Sequence, residues 1–250
     1  ANNIYAVAST TADLSSTLIN QGDGSTSDIV FTKFDPEGKR LLLNIFGTPD
    51  DDLPYSVEVI DDGSIYIIGE TRGDLNGEIN NGEEDAFLIK LDSDGNEIWT
   101  KLFGTPYSDI PWFSHIDNDG NILLGGETAG NLNGEINNGI IELDVINQDY
   151  EDAFLVKVDP DGNENWTKLF GTEGGEDLHS AVTSNDGSIY ITGETRNVYD
   201  DSSEYSFIQN GFVSKLDSNG NTIWESNLGA VSLSEIPSDK FKITLFIFSE

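Results

Sequence analysis

Three sets of side chains could do chemistry. The first lies in two loops where oxygen-bearing residues stand at every second position. These are Asp74, Asn76, Glu78 and Asn80 in GDLNGEINNGEED, and Asn131, Asn133, Glu135 and Asn137 in GNLNGEINNG. Alternating oxygens are how a calcium loop surrounds a hard cation, and magnesium suits such a loop less because it keeps its waters. The pattern departs from the EF-hand, since glycine falls fourth rather than sixth and no glutamate closes the loop. The metal reading is therefore calcium at these eight residues, against a polar loop whose Asn side chains make local turns. The stretches DSDGNE (92–97), DNDGN (117–121) and DPDGNEN (159–165) are also calcium-like. They sit between strand-like runs, where the hairpin reading is stronger.

The second set is Glu70, Glu127 and Glu194, each in a recurring G-E-T. A pair of carboxylates about 5 to 10 Å apart can flank a glycosidic bond, which makes a polysaccharide-acting hydrolase or lyase one reading. With 46 acidic residues, chance pairs are inevitable. Repetition in every unit points instead to structure or to symmetric cation binding. The third set, His115 and His179, lacks a third ligand motif for zinc. No G-x-S-x-G, P-loop or dinucleotide glycine pattern is present. We assign no catalytic residue. The sequon Asn165-Trp166-Thr167 lies within a strand-like run.

The elements that must position these groups are repeats. DAFLIKLDSDGNEIWTKLFGT (85–105) returns as DAFLVKVDPDGNENWTKLFGT (152–172), with weaker copies at 28–48 and 211–230. Three markers hold one register. An aspartate ends the third strand at Asp35, Asp92, Asp159 and Asp217, giving intervals of 57, 67 and 58. Gly47, Gly104, Gly171 and Gly229 keep the same intervals, and Glu70, Glu127 and Glu194 keep the first two. The long middle interval comes from an insertion in the loop 130–151. Alternating β-branched and aromatic runs read as strands, and Asp-Gly or Asn-Gly between them reads as hairpins. Units fall at about 1–53, 54–110, 111–177 and 178–235, with 236–250 starting or closing a further blade. Four short strands joined in order form a meander, which buries both faces only by stacking on its neighbours.

D-A-F-[LV]-x-K-[LV]-D-x-x-G-N-x-x-W-T, then F-G-T, then D-G-S-I-Y-I-x-G-E-T, resembles the SBBP (β-propeller repeat) family of bacterial surface and secreted proteins. The likeness covers nearly the whole chain. It implies a propeller fold and an extracellular or cell-surface setting, and no defined activity. The fold expected is all-β, a propeller of about four antiparallel four-stranded blades. The alternative is a segment of a larger propeller or linear array. Glu235-Ile236-Pro237-Ser238 matches Asp52-Leu53-Pro54-Tyr55, and LFIFSE (245–250) matches IYIIGE (65–70), so the units run in shifted phase. Ring closure needs such a phase; a segment excised from a longer array starts and stops in the same way.

Composition narrows the function. Asp plus Glu number 46 against 12 Lys plus Arg, a net charge of −34, which repels phosphate backbones and anionic lipid. It attracts divalent cations or basic partners; excess carboxylate is also how a surface stays hydrated in salty water. Without Cys there is no disulfide, thiolate metal site or thiol nucleophile. No apolar run reaches the roughly 18 residues of a membrane span. Trp99, Trp166 and Trp224 share one position of the unit, which reads as packing between sheets, whereas Trp112, Tyr107 and Tyr199 are better placed to stack on a sugar. The expectation is a non-catalytic extracellular binding or scaffold module whose acidic rim loops contact calcium and a glycan or protein. The alternative is a structural surface protein that self-associates by strand pairing.

Overall fold

A computed structural model describes residues 3–22, 24–138, 151–172, 174–199 and 206–232, with side chains left out at 197–199, 206–209 and 229–232. Most of the inserted loop and the terminal segments matched above, 235–238 and 245–250, lie outside the described residues.

Fifteen strands make four antiparallel sheets, and no helix occurs among the described residues. β1 (Ile4–Thr10), β2 (Asp28–Phe34) and β3 (Arg40–Phe46) form the first. β4 (Asp52–Val59), β5 (Ile65–Thr71), β6 (Asp85–Leu91) and β7 (Glu97–Phe103) form the second. β8 (Asp109–Ile116), β9 (Ile122–Thr128), β10 (Asp152–Val158) and β11 (Glu164–Phe170) form the third. β12 (Gly175–Thr183), β13 (Ile189–Tyr199), β14 (Ser206–Leu216) and β15 (Thr222–Ser232) form the fourth. Each sheet runs in sequence order, the meander expected of a propeller blade. Among the described residues the first sheet has three strands rather than four, and β1 matches the second strand of the unit.

The hairpins follow one rule. Asp92 N–H donates to Asn96 O, Gly95 N–H donates to Asp92 O, and the Asp92 carboxylate accepts the N–H groups of Asp94 and Asn96. The same carboxylate bonds recur at Asp35, Asp159 and Asp217. Only the glycine takes positive φ (80° at Gly95), and the register shifts one residue earlier, between Lys90 and Leu91. This is a three-residue hairpin with a bulge, not a two-residue turn with both residues at positive φ. The aspartate that marks the repeat is therefore the residue that ties off the turn.

The chain divides within β8 into two compact units, Ala1–Pro111 and Trp112–Glu250. In the first, Ile29, Phe31, Ile65, Ile67, Phe87 and Ile89 form a core between the first two sheets. In the second, Leu155, Leu178, Ile189, Ile191, Phe212 and Leu216 form the corresponding core. Strands β5, β6 and β10 are buried on both faces, which is why they read as nearly continuous apolar runs.

Candidate functional site

The two oxygen-rich loops fold into matching knots. Asn76 and Gly77 both take positive φ (52° and 91°), as do Asn133 and Gly134 (51° and 90°). Glu78 N–H closes the turn on Leu75 O at 3.0 Å, and Glu135 N–H closes on Leu132 O at 2.9 Å. This is the Asn-Gly turn with positive φ at both central residues. Leu75 and Leu132 are fully buried and anchor the knots.

All eight predicted metal residues are brought together in these knots, four to each, with the same partners in both copies. Asp74 accepts the N–H of Asn80 and Asn131 that of Asn137. Asn80 Nδ2 donates to Thr71 O and Asn137 Nδ2 to Thr128 O. Asn76 Nδ2 donates to Thr100 Oγ1, and Asn133 Nδ2 to Thr167 Oγ1. Glu78 pairs with Lys101 at 3.0 Å and Glu135 with Lys168 at 3.2 Å. The side chains thus hold the loop against the fourth strand of its own sheet.

The G-E-T glutamates have three different partners. In the first unit Tyr55 Oη donates to Glu70 at 2.8 Å, beside a contact between Arg72 and Glu84. In the second, Glu194 lies 3.6 Å from His179 Nε2. Tyr55, Trp112 and His179 occupy one position of the repeat, so the residue facing that glutamate is where the units vary. Glu127 meets Asp177, and Arg196 Nη2 reaches both, at 3.3 Å and 2.7 Å. Burial, the Asp177 carboxyl and its charge push the Glu127 carboxyl well above its usual range, with Arg196 opposing. His115 sits elsewhere in that unit and its Nε2 accepts the Thr183 N–H at 3.1 Å, so that ring nitrogen carries no proton. Burial lowers its pKa. Among the described residues no three His, Asp or Glu side chains converge as a metal-binding group.

Sequence reasoning missed the role of F-G-T. Asp28, Asp85 and Asp152 open the third strands and are fully buried. Their Oδ2 atoms accept the N–H of Gln21, Asn81 and Asn138, respectively. Each carboxyl fills the place of the missing Cβ at Gly47, Gly104 and Gly171. The following threonine donates its N–H and hydroxyl to the acid that opens the next sheet: Thr48 to Asp52, Thr105 to Asp109, and Thr172 to Glu176. The backbone closes the seam, with Asp52 N–H on Ser27 O, Asp109 N–H on Glu84 O and Glu176 N–H on Glu151 O, each at 2.7 Å. Burial pushes the Asp52 carboxyl up to about 6 against the Thr48 bonds, and Asp28 adds to the rise. Burial pushes Glu176 up to about 7, with Asp152 adding to it and Arg196 opposing. The available signal was an acid four residues past the threonine of every F-G-T, at Asp52, Asp109 and Glu176.

Of the aromatics proposed for sugars, Trp112 and Tyr107 are exposed, whereas the Tyr199 side chain lies outside the described residues. Trp166 packs into the second unit's core and donates Nε1–H to Ser218 O.

No family model matches the chain. It is 25% identical over 141 residues to the regulatory protein FlaEY of Caulobacter vibrioides, a match that covers 54% of this chain and 15% of that protein. It is 25% identical over 119 residues to an uncharacterized WD repeat-containing protein of Acanthamoeba polyphaga mimivirus, covering 45% and 9%. The chain therefore spans a small fraction of the curated relatives it matches. The likeness to a WD repeat-containing protein and the repeated antiparallel meanders both fit a β-propeller built of repeats.

Proposed function

We propose that this chain is a non-catalytic, repeat-built interaction module of the SBBP type that works outside the cell or on its surface and binds partners with cationic surfaces. The observation that carries the reading is charge. The chain has 46 acidic residues against 12 basic ones, while the distinctive motif residues are used in turns and seams. What remains for a partner is a strongly anionic surface, which steers and holds basic groups. The similarity to a WD repeat-containing protein supports a repeat-based interaction role, and the resemblance to secreted repeat proteins supports the setting. Exposed Trp112 and Tyr107 are where a glycan would stack.

Poly-L-lysine is the probe, with poly-L-glutamate as control. Binding to poly-L-lysine is expected to weaken at least about tenfold between about 0.05 M and about 0.3 M NaCl, as screening predicts. Absence of binding at the lower salt overturns the proposal.

We infer calcium as a second ligand, replacing Lys101 and Lys168 as partners of Glu78 and Glu135, at the two duplicated knots. They hold Asp74 and Glu78, or Asn131 and Glu135, in one preformed geometry. Calcium at about 5 mM is then expected to raise the melting temperature by a few degrees over chelator-treated protein, because a ligand of the native state stabilises it. Equal melting curves with calcium and with chelator remove this reading.

A further inference from the structure

The chain does not leave the second strand in the same way in every sheet. In the first unit β5 ends at Thr71 and turns into the knot. There a Cβ on Gly73 would meet the Thr48 side chain, and Leu75 is fully buried in one core with Phe87 and Phe46. In the second unit β13 makes no such turn. It stays paired with β14 from Thr195 opposite Asn210 out to Tyr199 opposite Ser206, so no knot follows Thr195. The residues that would receive a knot are repeated all the same. Phe170-Gly171-Thr172 stands for Phe46-Gly47-Thr48, Phe212 for Phe87 and Thr195 for Thr71.

The knot's seat in the second unit is a cavity of about 330 Å³, whose lining includes Leu169, Phe170, Phe212, Thr195, Glu176 and Glu225. That is the small end of the range for ligand pockets, about 300–1,000 Å³. Phe212 is buried and Glu225 is exposed, so the cavity runs from the surface to the core. Its chemistry has changed as well. Glu225 stands where β7 and β11 carry Thr100 and Thr167, the hydroxyls that receive Asn76 and Asn133 of the knots. The knot is gone, and a carboxylate replaces the group that held it. The Ser214 hydroxyl donates to Glu225 at 2.9 Å, and Thr172 donates its N–H and hydroxyl to Glu176. Two positioned carboxyls therefore share a cavity with two phenylalanines and a leucine. Burial makes the Glu176 carboxyl reluctant to ionise, and Arg196 offsets this only in part, being engaged by Asp177 and Glu127. A further cation beside Glu176 would favour its charged form. An apolar stem that ends in an ammonium group satisfies both halves of the lining.

We propose that this cavity binds a primary alkylammonium group, the lysyl side chain of a basic partner, with its methylenes against Phe170 and Phe212 and its nitrogen at Glu176 and Glu225. The site rests on the reading of this chain as a module for cationic partners, and it gives that reading one defined pocket. The ligand's stem takes the kind of place that Leu75 fills in the first unit.

The probe is n-butylammonium, with 1-butanol as its uncharged counterpart, titrated into the full chain at about 0.05 M NaCl and followed by amide chemical shifts. The amides of Gly171, Thr172 and Thr195 are expected to shift and to saturate below about 10 mM butylammonium, with 1-butanol at least about tenfold weaker. Glu225→Gln, whose amide oxygen still accepts from Ser214, is expected to weaken butylammonium binding at least about tenfold. Asp94→Asn makes the same charge change in an exposed hairpin of the first unit and is expected to leave binding as it is. The same spectra show that both variants fold. The absence of saturable shifts at those amides overturns the proposal. So does 1-butanol binding as tightly as butylammonium, or a loss in Asp94→Asn equal to that in Glu225→Gln. Poly-L-lysine binding by a protein that ignores butylammonium overturns this site alone and leaves the reading of the anionic surface standing.

Discussion

Gly104→Ala is expected to lower the melting temperature by about 10 °C, far more than one added methyl group ordinarily does. The place of that methyl is already filled by the Asp85 carboxyl, which is fully buried and accepts the Asn81 N–H at 2.9 Å. Overpacking typically costs about 1–3 kcal/mol, and breaking a buried carboxylate bond adds about 1–3 kcal/mol. For a chain of this size each kcal/mol moves the melting temperature by about 2–4 °C. Gly104 does not have positive φ, so backbone strain contributes nothing there. Gly77→Ala is the control, with the opposite properties: φ of 91° and open space around the added carbon. It is expected to cost only about 1 kcal/mol, through strain alone. A Gly104→Ala loss no larger than that of Gly77→Ala would show that the glycine is not there for the carboxyl. A double-mutant cycle with Asp85→Ala sharpens the point, because the two losses should fall short of additivity by at least about 1 kcal/mol if the groups compete for one space.

The repeat period, the strand order and the hairpins were legible in the sequence because each depends on neighbours close along the chain. Asp92 and Gly95 act within five residues, and their chemistry shows in the letters. The eight loop residues were legible as a constellation, but their partners were not. Thr100 and Lys101, which hold Asn76 and Glu78, come 24 and 23 residues later on another strand. A pattern of alternating oxygens looks the same whether the oxygens face a cation or the protein's own donors. The seams were hidden for a related reason. Asp28 and Asp85 look like polar strand starts, and only folding sets them against Gly47 and Gly104. The pairing of Arg196 with both Glu127 and Asp177 spans 69 and 19 residues, and no local pattern announces it. The sequence therefore displayed the residues that make a unit, while those that join one unit to the next needed the structure.

The seam acids make stability rise as pH falls, opposite to the common behaviour of paired carboxylates. Asp52 has an ordinary pKa of 3.8 and stands at about 6 in the folded chain; Glu176 has 4.5 and stands at about 7. Burial is the main cause of both, and Asp28 and Asp85 are raised by burial as well. A carboxyl whose folded pKa is raised binds its proton more tightly when folded. Its contribution is complete below the unfolded value and is lost as pH rises through the folded one, so the windows are about pH 4 to 6 for Asp52 and about pH 4.5 to 7 for Glu176. At about 1.4 kcal/mol per pH decade, each contributes at most about 3 kcal/mol. Relief of the net charge of −34 acts in the same direction. Effects of two kinds oppose it: carboxylates held below their usual range by turn hydrogen bonds, as at Asp92, Asp159, Asp217 and Asp186, and a buried imidazole. The carboxyl of Asp186 is held down at about 2 by Ser184 and Ser188, so its contribution is lost only in strong acid. His115 has a lowered pKa through burial, so its contribution falls as the ring is forced to charge. Chemical denaturation is therefore expected to show greater stability near pH 5 than near pH 8, by about 3–5 kcal/mol in total. Asp52→Asn isolates one seam. The amide oxygen still accepts from Thr48, the buried charge is gone, and the slope between about pH 4 and 6 should shrink by up to about 3 kcal/mol. A variant with the wild-type slope would mean that the Asp52 carboxyl is ionised at no cost within the seam. A flat wild-type profile from pH 8 to 5 would say the same of all the seams together.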